Sequence, residues 1–145
     1  MTKFLKSTDL TSTTYEDALA IRMDVFVKEQ EVPKEMELEY EDECIHIVIY
    51  NDDAKAMGTV RLKPLEDLVM KIQRMAVLKE YRGQGVGKQL MRYAEEVARA
   101  MGATTLLLGA QVQAIPFYES LGFSICSDMY LDAGIEHKDM DKKLV

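Results

Sequence analysis

Cysteine is scarce in this chain: Cys44 and Cys126 are the only two, they stand far apart, and no CxxC pair occurs. That excludes a disulfide-stapled secreted scaffold and points to a reducing compartment. Long apolar runs are missing too. None approaches the ~18 residues that would cross a bilayer as a helix. The opening MTKFLKSTDL lacks the apolar core of a signal peptide, so a cytoplasmic protein with no membrane partner is expected. Positive charge is in deficit. The net charge of −7 argues against nucleic acid as a partner, because phosphate backbones need a cationic surface. With no repeat or low-complexity linker, 145 residues suit one domain, 1–145. Such a domain buries roughly 68–70% of its unfolded surface without metal or disulfide.

The charge excess is local. Between Glu29 and Glu43 stand eight acids (Glu29, Glu31, Glu35, Glu37, Glu39, Glu41, Asp42, Glu43) against one base, Lys34. The run reads either as a solvated acidic loop or short helix, or as a field that draws in a cationic amine.

Apolar periodicity lays out the elements. Lys3 to Ser7 is a candidate strand, and Ser12 to Thr14 offer an N-cap, with Glu16 three residues after Thr13 as in a capping box. A helix with Ala18, Ile21, Val25 and Phe26 on one face follows, running out near Val32-Pro33. CIHIVIY (44–50), AMGTVRL (56–62) and VMKIQRMAV (69–77) read as strands, the first two joined by a turn at Asn51-Asp52-Asp53. Val86, Leu90, Ala94, Val97, Ala98 and Met101 mark one face of a long helix that Gly102 ends. TTLLLG (104–109) reads as a buried strand, AIPFYESL (114–121) as a short helix, and 123–130 and 137–144 as closing strands around a turn at Asp132-Ala133-Gly134. This order, β-α-β-β-β-α-β-α-β-β, predicts an α/β (α+β) domain: a mixed sheet with helices packed on it.

YRGQGVGKQL, from Tyr81 to Leu90, joins a strand to the long helix. A glycine-rich turn feeding a helix offers free main-chain N–H groups and the positive end of the helix dipole to one point, which suits an anion. Gly83, Gly85 and Gly87 permit close approach, and Arg82 and Lys88 add positive charge. The triphosphate loop GxxxxGK[ST] would need glycine at 82 and Ser or Thr at 89, where Arg82 and Gln89 stand; the dinucleotide pattern GxGxxG fails at Lys88 or Leu90.

What fits is R-x-x-G-x-G, Arg82-Gly83-Gln84-Gly85-Val86-Gly87. With AQVQAIPFYESLGF (110–123), which ends in FYxxxGF, it resembles the GCN5-related N-acetyltransferase (GNAT) superfamily. VFVKEQEVPKEMELEYED (25–42) and GIEHKDM (134–140) are similar to a bacterial subgroup of small GNAT proteins. The resemblance implies the GNAT fold, a single mixed, mostly antiparallel central sheet of about six to seven strands flanked by helices. It also implies acetyl-coenzyme A as co-substrate and a primary amine as acceptor, by direct attack in a ternary complex, on a small molecule. A protein lysine, or a coenzyme A-binding regulatory module without turnover, are the other readings. A homodimer is expected only by analogy.

Roles follow the same resemblance. Main-chain N–H groups from Gln84 to Lys88, in the loop Arg82, Gly83, Gln84, Gly85, Val86, Gly87 and Lys88, would hold the diphosphate. Met75, Ala76 and Val77 would pair through their main chain with the pantetheine arm, and the N–H of Met75 or Val77 would donate to an oxyanion. Tyr118 takes the acid position of FYxxxGF, since a phenol of pKa about 10 keeps its proton at neutral pH. His137 is a candidate base or substrate ligand, an imidazole being suited to neutral pH, and otherwise an ordinary strand histidine; a carboxylate acting through water is the alternative base. Arg22, placed on the first helix facing the site, and Arg74 are candidate clamps for an anionic group of the acceptor, a surface ion pair with the abundant acids being the equal alternative for each; Glu29 and Gln30, with Glu35 and Glu37, would instead face an amine. Cys44 and His46 are too few ligands for a closed metal site, and no metal is expected.

Overall fold

Every residue from Ile45 to Tyr50 is buried, with Ile45, Ile47 and Ile49 in one apolar cluster and Val48 and Tyr50 in another. A strand buried on both faces must be covered from both sides. The computed structural model, which describes residues 2–31 and 41–144, shows how. In chain order the elements are β1 (Lys3–Ser7), α1 (Thr13–Arg22), a π-helical continuation (Met23–Glu29), a 3-10 turn (Glu41–Glu43), β2 (Ile45–Tyr50), β3 (Ala56–Pro64) and β4 (Val69–Val77). Then come a 3-10 turn (Lys79–Tyr81), α2 (Val86–Ala100), β5 (Thr105–Gln111), a 3-10 turn (Val112–Ala114), α3 (Ile115–Ser120), β6 (Ser124–Ile125), β7 (Tyr130–Asp132) and β8 (Ile135–Lys143). The ends expected at Val32-Pro33, and Lys34, Glu35, Glu37 and Glu39 of the acidic run, lie outside the described residues.

Among the described residues the sheet is ordered β1-β2-β3-β4-β5-β8-β6, with β7 also paired to β8, and only β4–β5 is parallel. It is the mixed, mostly antiparallel sheet expected, with eight strands among the described residues rather than six to seven. The extra strand arises because the segment expected as one strand from Phe123 to Tyr130 splits. β6 and β7 both pair with β8, and between them the amide of Cys126 and the hydroxyl of Ser127 bond the main chain of Asp139.

α1 covers one face through Ala18, Ile21 and the following Val25, packed on Val48, Tyr50 and Ala76. Its cap is Ser12, whose hydroxyl accepts from the Tyr15 amide at 3.1 Å, so the expected pairing of Thr13 with Glu16 does not form. α2 covers the other face with Val86, Leu90, Met91, Ala94, Val97 and Ala98. Met101, expected on that face, lies past the helix end and is exposed. Gly58 lets α2 approach β3: a Cβ there would meet Leu90 Cδ1 at 2.9 Å and the Ala76 carbonyl at 3.0 Å.

β4 carries the feature that opens the fold. Thr59 pairs with Ala76 but Arg61 with Gln73, so one residue of β3 faces two of β4, Arg74 and Met75. This is a β-bulge, which bends the strand and reverses its facing. Met70 and Ile72 pack towards α2 before it and Ala76 towards α1 after it. Arg74 takes the left-handed conformation, φ 53°. β4 and β5 pair only from Val69–Thr105 to Ile72–Leu108; beyond that each continues unpaired with the other, and a wedge opens through the sheet.

Candidate active site

A cleft of about 720 Å³ fills that wedge. Its walls come from both faces of the sheet. Met75, Val77, Gly87, Phe117 and Tyr118 belong to the α2–α3 side, while Val25, Phe26 and Gln30 come from the α1 side. A long ligand can therefore enter on one face and meet a second ligand arriving from the other.

The glycine loop forms one rim. Gly85 caps α2 with φ 81° and no side chain, and Gly83 has φ 78°; a Cβ at either would meet nothing within 4 Å. The first amide to reach back along the helix is that of Gln89, to the Gly85 carbonyl at 3.1 Å, which leaves the N–H groups of Val86, Gly87 and Lys88 without intrahelical acceptors. A Cβ on Gly87 would stand 3.5 Å from the Phe117 ring and 3.7 Å from Met75 Sδ, filling the space between loop, β4 and α3. Donors, open space and positive φ together fit a diphosphate.

Other site candidates are distributed unevenly. Met75, Ala76, Val77, Arg82 and Gly87 line the cleft. Gly83, Gln84 and Gly85 are exposed, the Val86 side chain is buried in the core, and Lys88 lines a separate groove of about 390 Å³ between α2 and α3. The positive charge expected of Arg82 is already engaged: its Nη atoms donate to both carboxylate oxygens of Glu29 at 2.8 and 3.0 Å, and its Nε donates to the Val77 carbonyl at 2.9 Å. That hydrogen bond holds the Glu29 carboxyl below the ordinary range and raises Arg82 further. Glu29 thus meets the loop rather than the cleft. Gln30 lines the cleft and accepts from Gln111 Nε2 at 2.9 Å, and Gln113 donates in turn to Gln111 at 2.6 Å. Arg74 lines the cleft from the bulge.

Arg22 does not reach the cleft. It is fully buried and ion-paired to both oxygens of Glu41, with a very short contact from Nη2 to Oε1. Arg61, equally buried, donates to Glu41 at 3.3 Å and to Gln73 Oε1 at 2.6 and 3.1 Å. The cause is the position of Arg22 on the inner face of α1, beside Ile21, where only a carboxylate close by makes a buried guanidinium tolerable. Burial pushes the Glu41 carboxyl up, but the Arg22 fork and its charge outweigh it and the net direction is down. His46 completes the cluster: Nε2 donates to the Glu41 carbonyl at 3.0 Å, and Nδ1, buried, finds no partner among the described residues. Arg61 and Gln73 were missed in the sequence, although Arg61, a charge between Val60 and Leu62 on a strand this apolar, is a legible sign of a buried partner.

Tyr118, expected as the acid, lies in the wall of the cleft. It is 8% exposed, lines the cleft from α3 and packs edge-on against Phe117 and Phe123 at 5.1 and 6.1 Å. No side chain among the described residues hydrogen-bonds its phenol. Burial alone pushes its pKa up to about 12, so the hydroxyl holds its proton across the neutral range. His137 lines the cleft on the opposite strands. Its Nδ1 bonds the Ile135 carbonyl at 2.7 Å, which assigns the proton to Nδ1 and leaves the Nε2 lone pair available.

Comparison with known proteins agrees with this architecture. The sequence matches the acetyltransferase (GNAT) domain family over residues 10–144. It is 44% identical over 129 residues to the uncharacterized N-acetyltransferase YjcF of Bacillus subtilis, covering 88% of this chain and 91% of that one. The crystal structure of Escherichia coli ElaA superposes with a TM-score of 0.85 at 28% identity, over 99% of this chain and all of that one. An aminoglycoside 6′-N-acetyltransferase complexed with coenzyme A shares the fold, with a TM-score of 0.75 at 15% identity over 99% and 97% of the two chains. The chain belongs to the GNAT acetyltransferase family.

Proposed function

We propose that this single domain transfers the acetyl group of acetyl-coenzyme A to a primary amine of a small molecule by direct attack in a ternary complex. The observation that supports the reading is the wedge between β4 and β5, whose cleft is lined by the buried phenol of Tyr118 and, from the glycine loop, by Arg82 and Gly87. The coenzyme A present in the structure of the aminoglycoside 6′-N-acetyltransferase, which has the same fold, supports the choice of co-substrate. Amides of residues 84 to 88 would hold the diphosphate, and the main chain of β4 at Met75, Ala76 and Val77, which does not pair with β5, would align the pantetheine arm.

The co-substrate supplies an activated thioester; the chain supplies proton management and geometry. A main-chain N–H of Met75 or Val77 donates to the carbonyl oxygen as negative charge develops there. His137 Nε2 accepts a proton from the attacking nitrogen, and Tyr118 gives one to the departing sulfur, so C–N forms, C–S breaks and the protons balance. Cys126 is exposed and absent from the cleft lining, which favours direct attack over an acyl-cysteine relay.

Thiol release from acetyl-coenzyme A with a panel of primary amines tests this directly. Acceptor-dependent release is expected. Calorimetric binding of coenzyme A with no release for any small amine or lysine peptide would overturn the enzymatic reading in favour of a binding module, and no binding would overturn both.

A further inference from the structure

Gly109 lies inside β5, where a glycine ordinarily weakens a strand and marks the close approach of another group. Here that group is Tyr130. A Cβ on Gly109 would stand 2.6 Å from the Tyr130 hydroxyl. Cross-strand partners share a sheet face, and the register pairs Gly109 with Asp139, Gln111 with His137 and His137 with Tyr130. All five therefore look out on one side, and Gln111, His137 and Tyr130 line the cleft there.

On that face the Tyr130 hydroxyl donates to Asp139 Oδ1 at 2.5 Å, through the space Gly109 leaves. A hydrogen bond to an ionised carboxylate is among the strong ones. Its ring then lies along the His137 imidazole, with centroids 5.8 Å apart and planes 21° from parallel. The β7–β8 turn is tight: Ala133 and Gly134 take φ 52° and 77°, the pattern of a two-residue hairpin loop. It sets Tyr130 directly across from His137.

We propose that Tyr130 is a positioning residue for His137, anchored by Asp139 and admitted by the missing side chain of Gly109; this rests on the reading of His137 as the proton acceptor. The imidazole bonds the Ile135 carbonyl, two residues back on its own strand, only if its plane is held. The Tyr130 ring holds it, and the lone pair of Nε2 is thereby kept on the cleft side.

The test is long-range proton–nitrogen NMR of the imidazoles in the intact chain at mildly alkaline pH. The chain has two histidines, so a His137→Gln sample assigns the signals. Wild type is expected in the Nδ1–H form. Tyr130→Leu and Gly109→Ala are expected to revert to the Nε2–H form that free imidazole side chains favour. Tyr130→Phe, which keeps the ring and loses the anchor, should fold in any case and fall between. A wild-type tautomer in all folded variants overturns the proposal, whatever their activity. Failure of the base reading shows elsewhere: His137→Gln would retain acetyl transfer while the tautomer shifts stand.

Discussion

Arg82 forks onto Glu29 with both Nη atoms, across fifty-three residues of sequence, and so ties the π-helical end of the first helix to the glycine loop. Both side chains are about two-fifths exposed, so the pair contributes at most about 1 kcal/mol to stability. Its larger effect is on charge at the loop. Glu29→Gln should leave the melting temperature nearly unchanged and tighten coenzyme A binding by up to about fivefold, because the guanidinium becomes available to phosphate. Calorimetry at two salt concentrations checks it; weaker binding in the variant would show that the tether, not the charge, serves the loop.

The second ion pair behaves in the opposite way. Glu41 faces Arg22 and Arg61, and all three are buried. Removing the carboxylate charge takes an opposing partner from two buried cations, a change that typically costs about 3–5 kcal/mol. Glu41→Gln should therefore lower the urea midpoint markedly with little change in slope. A loss within 1 kcal/mol, taken as roughly the surface-pair range, would show that this cluster is better hydrated than its burial indicates.

The same cluster sets the acid side of the stability profile. Burial lowers the pKa of His46 from 6.5, and the Arg22 interactions bring Glu41 below 4.5 against its own burial. For His46 the unfolded chain binds the extra proton, so stability begins to fall as pH drops through the ordinary imidazole value. For Glu41 the contribution is present above the ordinary carboxylate value and is lost as pH falls through the lowered one. Both act in one direction. Chemical denaturation from pH 8 downward should show a loss beginning near pH 6.5, and His46→Gln should remove that first part while keeping the later one. An unchanged upper limb would exclude His46 as its source.

The parts of the site that follow local rules were legible. Gly83 and Gly85 do take positive φ, and the helix after them buries most of the face its periodicity marks. Arg22 was misplaced because periodicity marks which helical face turns inward but not which carboxylate waits there. Its partner, Glu41, stands nineteen residues on, inside an acidic run that looks uniformly solvated. Gly109 was read as the end of a strand, since glycine usually punctuates; the strand runs on to Gln111, and the reason for the glycine is a tyrosine hydroxyl from two strands away. The bulge at Arg74 left no local mark either, because nothing in QRMAV departs from an ordinary strand composition.

Tyr118 gives the sharpest functional expectation. Its phenol is buried without a side-chain hydrogen bond from the described residues, and burial alone raises its pKa. Removing one oxygen leaves the ring contacts with Phe117 and Phe123 in place, so Tyr118→Phe should melt at or slightly above the wild-type temperature. Coenzyme A affinity should be unchanged, since the glycine loop and β4 are untouched. Turnover should fall by about 10²-fold or more, the usual worth of a positioned acid. A raised pKa also means that the acid form persists well above neutral pH, so the wild-type rate should show no decline from this group until close to pH 12. Steady-state kinetics of both proteins with any accepted amine decide the matter: a variant with wild-type turnover would exclude Tyr118 as the proton donor and leave the departing sulfur to take its proton from water.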